Sequence, residues 1–469
     1  ITPTPSSGAI IPKQSPFLTI EKELPAGALF EYSQDKFAIT FQESLAAIKE
    51  IRFKTHQDYK FSLQYGFSLA DNTLSFQKVS SPAGAVTFVH IDQNKKIIKR
   101  FLFSNSSYNI LLELEVQNLS NSALKVNLPL ILGALNFSPR NAQARYQDVT
   151  VATKDKTLHL NARKDAEFPG LKFLGFRDRY FCAIAESAGE ISTGFTKKVD
   201  AQTIEMGISS PETLLAPSQQ VKQTFRIYLG PQELRTINSI KPDWAAIVNY
   251  GTFDFIAQII LQALELAYRL VHNWGLAIII LSILVYLLLY PLTMKQMRSM
   301  KEMQVLQPHI EELRKLYKDN PQRLNKEIME LYRQHKVNPL GGCLPLILQM
   351  PIFIALWQAF QRSIVLKGAS FLWIKDLSEP DRLFTITANF PVKDVNILPI
   401  LTAILMLIQQ KITIVPASGS SAEQQKMMTI MMPIMFGFMF YNMPSGWVLY
   451  FFVYSLLTLI YQFRISRQK

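Results

Sequence analysis

MMTIMMPIMFGFMFYNMPSGWVLYFFVYSLLTLIYQF, residues 427–463, holds no Asp, Glu, Lys or Arg in 37 positions. A helix needs about 20 apolar residues to cross the roughly 30 Å of hydrocarbon in a bilayer, so the run is too long for one span and long enough for two. Pro444-Ser445-Gly446 supplies turn chemistry near its middle, so spans over about 427–443 and 446–463 are expected, joined by a tight hairpin. Three earlier runs read the same way. LAIIILSILVYLLLYPLTM (276–294) gives a span over about 274–294. VNPLGGCLPLILQMPIFIALWQAFQ (337–361) gives one over about 339–361, bent by Pro345 and Pro351. The run from Val395 to Gln410 is only 16 residues, so its span is extended to 395–415 with Lys411 snorkelling to the interface.

The basic residues orient these five spans. Residues 295–336 hold ten Lys and Arg, which places that segment in the cytoplasm, whereas 367–394 balances four basic against four acidic residues and fits the outer side. Within 295–336, Met297, Met300, Met303, Leu306, Ile310, Leu313 and Tyr317 recur at steps of three and four. Asp319-Asn320-Pro321 then ends one helix and starts another that carries Leu324, Ile328 and Leu331. A helical hairpin with a charged outer face is expected, with Arg298, Lys301, Arg314, Lys315, Lys318 and Arg323 as its docking residues. Upstream, TFDFIAQIILQALELAYRLVH (252–272) puts Asp254, Gln258, Gln262, Glu265, Arg269 and His272 on one stripe, the pattern of a helix lying along the membrane interface.

The first half is different. FAITF (37–41), YKFSLQYGFSL (59–69), AVTFVHI (85–91), KKIIKRFLF (95–103), YNILLELEVQNL (108–119) and KQTFRIYLG (222–230) are short or alternating runs parted by turn residues. They predict an all-β sandwich over 17–235, followed by a linker and the interfacial helix over 236–272 and a membrane core over 273–469. ITPTPSSGAIIPKQSP (1–16) reads as a flexible Pro/Ser linker after an N-terminal anchor outside this numbering. The 469 residues carry 49 Lys plus Arg against 36 Asp plus Glu, a net charge of +13, with 48% hydrophobic and 18% charged residues, which excludes long disorder and collagen-like structure. The clustering of positive charge on one face of the membrane half makes it a topology signal rather than a nucleic-acid footprint. His56, His90 and His159 are isolated, and no catalytic or phosphate-binding motif is present, so neither an enzyme nor a cofactor is expected. Cys182 and Cys343 fall in different compartments and read as two separate thiols.

The stretch YPLTMKQMRSMKEMQVLQPHIEELRKLYKDNPQRLNKEIMELYRQHKVNPLGGCLPLILQMPIFIALW (290–357) resembles the bacterial YidC-type membrane protein insertases. So do FLWIKDLS (371–378), QQKMMTIMMPIMF (424–436) and MPSGWVLYFFVYSLLTLIYQ (443–462), and the β half is similar in place and size to the periplasmic domain of the Gram-negative members. The resemblance implies a multi-pass protein of the inner membrane that acts as insertase and chaperone, alone or with the Sec translocon. Its partners would be nascent membrane proteins, the lipid bilayer, the ribosome and signal recognition particle pathway components, and the chain would work as a monomer. The family's five core helices enclose a hydrophilic groove open to cytoplasm and lipid. Such a groove shortens the dry path for a polar tail, while burial of the substrate's apolar segment, roughly 25 cal/mol per Å², supplies the energy.

The family places an arginine in the first core span, five residues before the proline of Tyr-Pro-Leu; here that position is Tyr286, and no Lys, Arg, Asp or Glu occurs from Leu270 to Met294. Neutral groups are therefore expected to keep the groove wet: Ser282, Tyr286, Gln349 and Gln409. The resemblance places Phe353, after the turn at Gln349-Met350-Pro351, together with Met439, Tyr450 and Phe451, along the substrate's sliding path. Seven of the 15 methionines fall between Met427 and Met443, a soft wall for varied helices. The tail after Phe463, RISRQK, is short, which leaves the hairpin as the main docking surface for ribosomes. A secondary transporter and a structural membrane anchor for the β domain are the rival readings; the first calls for inverted repeats and intramembrane charges.

Overall fold

The computed structural model describes residues 27–469 apart from 72, 106, 139–143, 161–163, 190–191, 319, 336, 338–343, 386–393, 414–419 and 468–469, so the linker at 1–16 and Cys343 lie outside the described residues. The chain divides into two compact units, Ile1–Val248 and Asn249–Lys469.

The first unit is built from β-strands. ILLELEV lies in the strand Asn109–Asn118, whose residues alternate strictly between half-buried and buried, so Ile110, Leu112, Leu114 and Val116 all face inward. That strand pairs antiparallel with Lys95–Phe103 and with Gln220–Pro231 near the middle of a sheet of 13 strands. A smaller sheet of four consecutive antiparallel strands, Leu29–Ser33, Phe37–Gln42, Ala47–Phe53 and Tyr59–Gly66, covers one face of it. Aromatic rings join the layers. Phe41 meets Phe101 with centroids 5.2 Å apart, Phe53 stacks on Phe181 at 3.9 Å, and Phe61 lies 5.6 Å from Phe176.

The interior of this unit also holds charge. Lys99 is fully buried and donates from Nζ to the carbonyls of Ala46 (2.7 Å) and Phe67, two residues held at positive φ of 46° and 62°. Burial pushes its ammonium down to about 7. Arg177 grips Asp148 through Nε (2.7 Å) and Nη2 (2.5 Å), a bidentate pair buried at both ends. Next to it, burial pushes the Asp178 carboxyl up to about 6 while that carboxylate accepts from the amides of Tyr180 and Phe181 and from the Tyr59 hydroxyl. The histidines serve the fold. His90 bridges Ser75 and Asp92, His159 bonds Thr150, and His56 bonds Thr55.

This unit keeps more of the chain than the sequence assigns to it. Helix α1 (Leu234–Ile240) and a 3-10 turn (Pro242–Ile247) belong to it rather than to a linker starting at 236. Trp244 is buried and donates to Glu186 at 2.9 Å, and Lys241 binds both oxygens of the same carboxylate. Gly175 leaves room for the segment, because a Cβ there would meet the Ile247 side chain at 2.7 Å.

The second unit is helical: α2 (Asp254–Val271), α3 (Trp274–Val305), α4 (Gln307–Leu316), α5 (Pro321–Gln334), α6 (Leu344–Arg362), α7 (Ile397–Thr413), α8 (Ser420–Tyr441) and α9 (Ser445–Arg467). Among the described residues two segments are long and apolar enough to cross a membrane, Trp274–Lys295 and Ser445–Arg464; Ile397–Ile412 and Ile430–Tyr441 are shorter apolar segments. Outward faces are greasy: Leu284, Leu287 and Leu288 on α3, Ile400 and Ile404 on α7, and Ile434, Met435 and Phe438 on α8 are all exposed. Helix α2 buries Ala257, Ile260, Leu264 and Ala267 against its own unit and exposes Phe255, Ile259, Leu266 and Leu270 beside its polar stripe.

The span expected over 274–294 coincides with the apolar segment Trp274–Lys295, and the helix that carries it, α3, runs on without a break to Val305, because the strong helix formers after Pro291 meet no breaker until Pro308. Pro308 has no N–H for the carbonyl four residues back, and the helix breaks at Leu306. Gln349-Met350-Pro351 is no turn; it lies inside α6, which carries Pro351 within the helix.

Candidate functional site: a polar seam in the helical unit

Tyr286 and Tyr290 stand one turn apart on α3, and Tyr450, Tyr454 and Tyr461 line one side of α9. The two helices pack so that these rings form an unbroken series. Tyr450 lies 6.2 Å from Tyr454, Tyr454 5.6 Å from Tyr286, Tyr286 6.2 Å from Tyr290, and Tyr290 5.2 Å from Tyr461. Tyr286 is 7% exposed and Tyr450 1% exposed. The Tyr286 hydroxyl is buried without a hydrogen-bond partner, which costs about 1–3 kcal/mol, so it is not explained by packing alone. The Tyr450 hydroxyl meets the Gln349 side chain. At the far end Tyr461 donates to the Met294 sulfur.

The other neutral groups are engaged locally. Ser282 is fully buried and donates to Ile278 O at 2.7 Å, which serves its own helix. Gln409 on α7 donates to Ser455 O on α9 at 2.5 Å and so ties two helices together. Phe353 and Phe451 belong to an aromatic cluster. Phe353 meets Trp447 at 4.8 Å and Phe451 at 6.1 Å, and Phe440 meets both Trp447 (4.8 Å) and Phe451 (5.0 Å). Met439, on α8, is 37% exposed. The structure thus brings Tyr286, Gln349 and Tyr450 into one seam and Phe353 and Phe451 into an aromatic cluster, while Ser282 and Gln409 bond backbone carbonyls.

The loop after α6 is bonded to the ends of three helices. Ser445 N donates to Glu379 O (2.8 Å) and Gly446 N to Leu377 O (2.9 Å), so the loop holds the turn between α8 and α9. Asp381 accepts from Leu398 N at 2.8 Å, which caps α7, and Asn396 donates to Tyr441 O while accepting from Arg382 N. The hairpin has its own small core of Leu306, Ile310 and Val337, with Met303, Ile328, Leu331 and Tyr332 packed against it; the side chains of Met297 and Met300 lie outside the described ones. Asn320 caps α5 by accepting from Arg323 N, ahead of Pro321. Arg298, Lys301, Lys315, Lys318 and Arg323 are exposed and Arg314 is half-buried, with Arg323 over the Tyr317 ring at 5.0 Å. Among the described residues no group of three or more His, Cys, Asp or Glu could hold a metal.

Sequence reasoning missed Tyr290, Tyr454 and Tyr461, as well as Phe440, Trp447 and Asp381. The tyrosines had a signal: pairs at i, i+4 in two separate charge-free runs.

A β-rich unit of this kind, followed by apolar helices around a neutral seam, defines a class of membrane protein in which a globular domain precedes a helical core. The family described as "YidC periplasmic domain" matches residues 66–263, and that described as "60Kd inner membrane protein" matches 266–469. Membrane protein insertase YidC of Syntrophobacter fumaroxidans is 32% identical over 426 residues, 88% of this chain and 76% of that protein. The same-named protein of Pelobacter propionicus is 35% identical over 422 residues, 87% of this chain and 76% of its own length. A solved YidC insertase with its first transmembrane domain resolved is 18% identical, with a TM-score of 0.44 over 95% of this chain and 94% of that one. The chain belongs to the YidC family of membrane protein insertases.

Proposed function

We propose that the chain inserts membrane proteins into the inner membrane, receiving their apolar segments from the cytoplasm and releasing them sideways into lipid. Helices α3, α6, α7, α8 and α9 are its five spans, the β unit lies in the periplasm of a Gram-negative cell, and α4 and α5 lie in the cytoplasm. The observation that carries this reading is the seam itself. Hydroxyls and an amide are gathered between helices whose outward faces are apolar, which offers a polar tail a shorter dry path than bare lipid does.

In this reading Tyr286, Gln349, Tyr450 and, more remotely, Gln409 and Ser282 keep the groove hospitable to polar groups. Phe353, Phe451 and Met439 form the apolar slide, and Arg298, Lys301, Arg314, Lys315, Lys318 and Arg323 receive the ribosome or signal recognition particle components, with the Sec translocon as a second partner. The loop held by Asp381 and Asn396 seals the outer end. No bond is made or broken, so the role is that of an insertase and chaperone rather than an enzyme. The test is reconstitution in liposomes with a small single-span substrate. The wild type should insert it, and Tyr286→Phe combined with Gln349→Leu should slow insertion at equal protein level. Solute flux without insertion would favour a transporter, and neither activity would favour an anchor.

A further inference from the structure

We propose that the tyrosine ladder of α3 and α9 is a binding track for the extended backbone of a substrate's translocated tail, and that it makes insertion indifferent to the sign of charge on that tail. The inference rests on the insertase reading and names the ligand chemistry of its seam. Each rung is a phenol, which both donates and accepts a hydrogen bond, and a peptide presents one donor and one acceptor per residue. One rung, Tyr286, holds a buried hydroxyl with no partner inside the protein, and the Tyr450 hydroxyl has only the Gln349 side chain beside it, so an incoming peptide group satisfies a need that folding leaves open. Tyr290, Tyr454 and Tyr461 are partly exposed and give the ladder an accessible edge. Successive rings lie 5.2–6.2 Å apart, close to the roughly 6.6 Å two-residue repeat of an extended chain, so a tail can pass from rung to rung without losing contact.

Charge selection needs a fixed charge, and the rungs have none. No Lys, Arg, Asp or Glu occurs from Leu270 to Met294 or from Met427 to Phe463. Arg298 stands near Tyr461 at one end, but it is exposed and screened by solvent. A tail that carries an acid, a base or neither therefore meets the same surface.

The test uses the full chain in liposomes without a membrane potential and three single-span substrates that differ only in one tail residue, Asp, Ser or Lys. The wild type should insert all three within about threefold of one another. Tyr286→Phe with Tyr450→Phe should slow all three by a common factor of about 3 to 10, as expected for losing one or two neutral hydrogen bonds. Tyr286→Arg should favour the Asp tail over the Lys tail by about tenfold or more. A wild-type preference for the Asp tail of tenfold or more overturns the track, and so does full activity in the double Phe variant with an unchanged melting temperature. Failure of the wild type to insert any tail overturns the insertase reading, and the track with it.

Discussion

The two units differ in the charge they bury. Among the described residues the β unit buries seven acidic or basic side chains, His90, Lys99, Asp148, Arg177, Asp178, Arg179 and Glu205, whereas the helical unit buries one, Asp381. In the β unit the charges are answered: Asp148 by Arg177, Glu205 by the Tyr65 hydroxyl at 2.6 Å, Lys99 by two carbonyls. In the described interior of the helical unit there is no charge apart from that carboxylate, and the Tyr286 hydroxyl is left unanswered. A buried charge without a partner is too costly to keep, so where charge is used it must be matched; a neutral hydroxyl costs little enough to remain open for a visitor.

Breaking a matched charge should have the largest effect. Arg177→Met leaves Asp148 buried alone and should destabilise the β unit by about 3–5 kcal/mol, read by thermal melts. Hydrogen exchange should quicken first at the amides of the two paired strands that carry the ion pair, Asp148–Thr153 and Ala166–Arg177.

Lys99 gives the next effect. Its folded value, about 7, lies below the ordinary lysine value of 10.5, so between those limits the unfolded chain holds the extra proton and stability rises with pH. The slope should approach about 1.4 kcal/mol per pH unit between pH 8 and 9, and Lys99→Met should flatten it in melts taken across that window. Asp381→Ala removes the cap on α7 and should cost about 1–2 kcal/mol, measured as earlier proteolysis of the loop after α6. The smallest effect has the opposite sign. Tyr286→Phe should leave stability unchanged or raise it by up to about 1 kcal/mol while insertion slows. A loss of stability there would erase the contrast between the units.

Much of this architecture was legible in the sequence, and the limits have physical causes. Alternation in ILLELEV announced a strand with one buried face, and the strand Asn109–Asn118 has one. Absence of charge announced the apolar helices, since few other folds leave such runs unbroken. Periodicity gives the face of an element but not its partner. Tyr286 and Tyr454 are 168 positions apart in the chain, and only the packing of α3 against α9 joins them. The same holds for Phe353 with Trp447 and for Asp381 with Leu398. The extension of α3 to Val305 was hidden because a change from apolar to charged composition looks like a boundary, although the backbone has no reason to stop there.

That extension has a mechanical meaning. At about 1.5 Å per residue the 32 residues of α3 make a rod of about 48 Å, with Tyr286 in one arm, Val305 at the tip of the other, and Pro291 between them as the weakest point of the shaft. A load placed on the tip reaches the ladder by leverage, with no loop in between to absorb it.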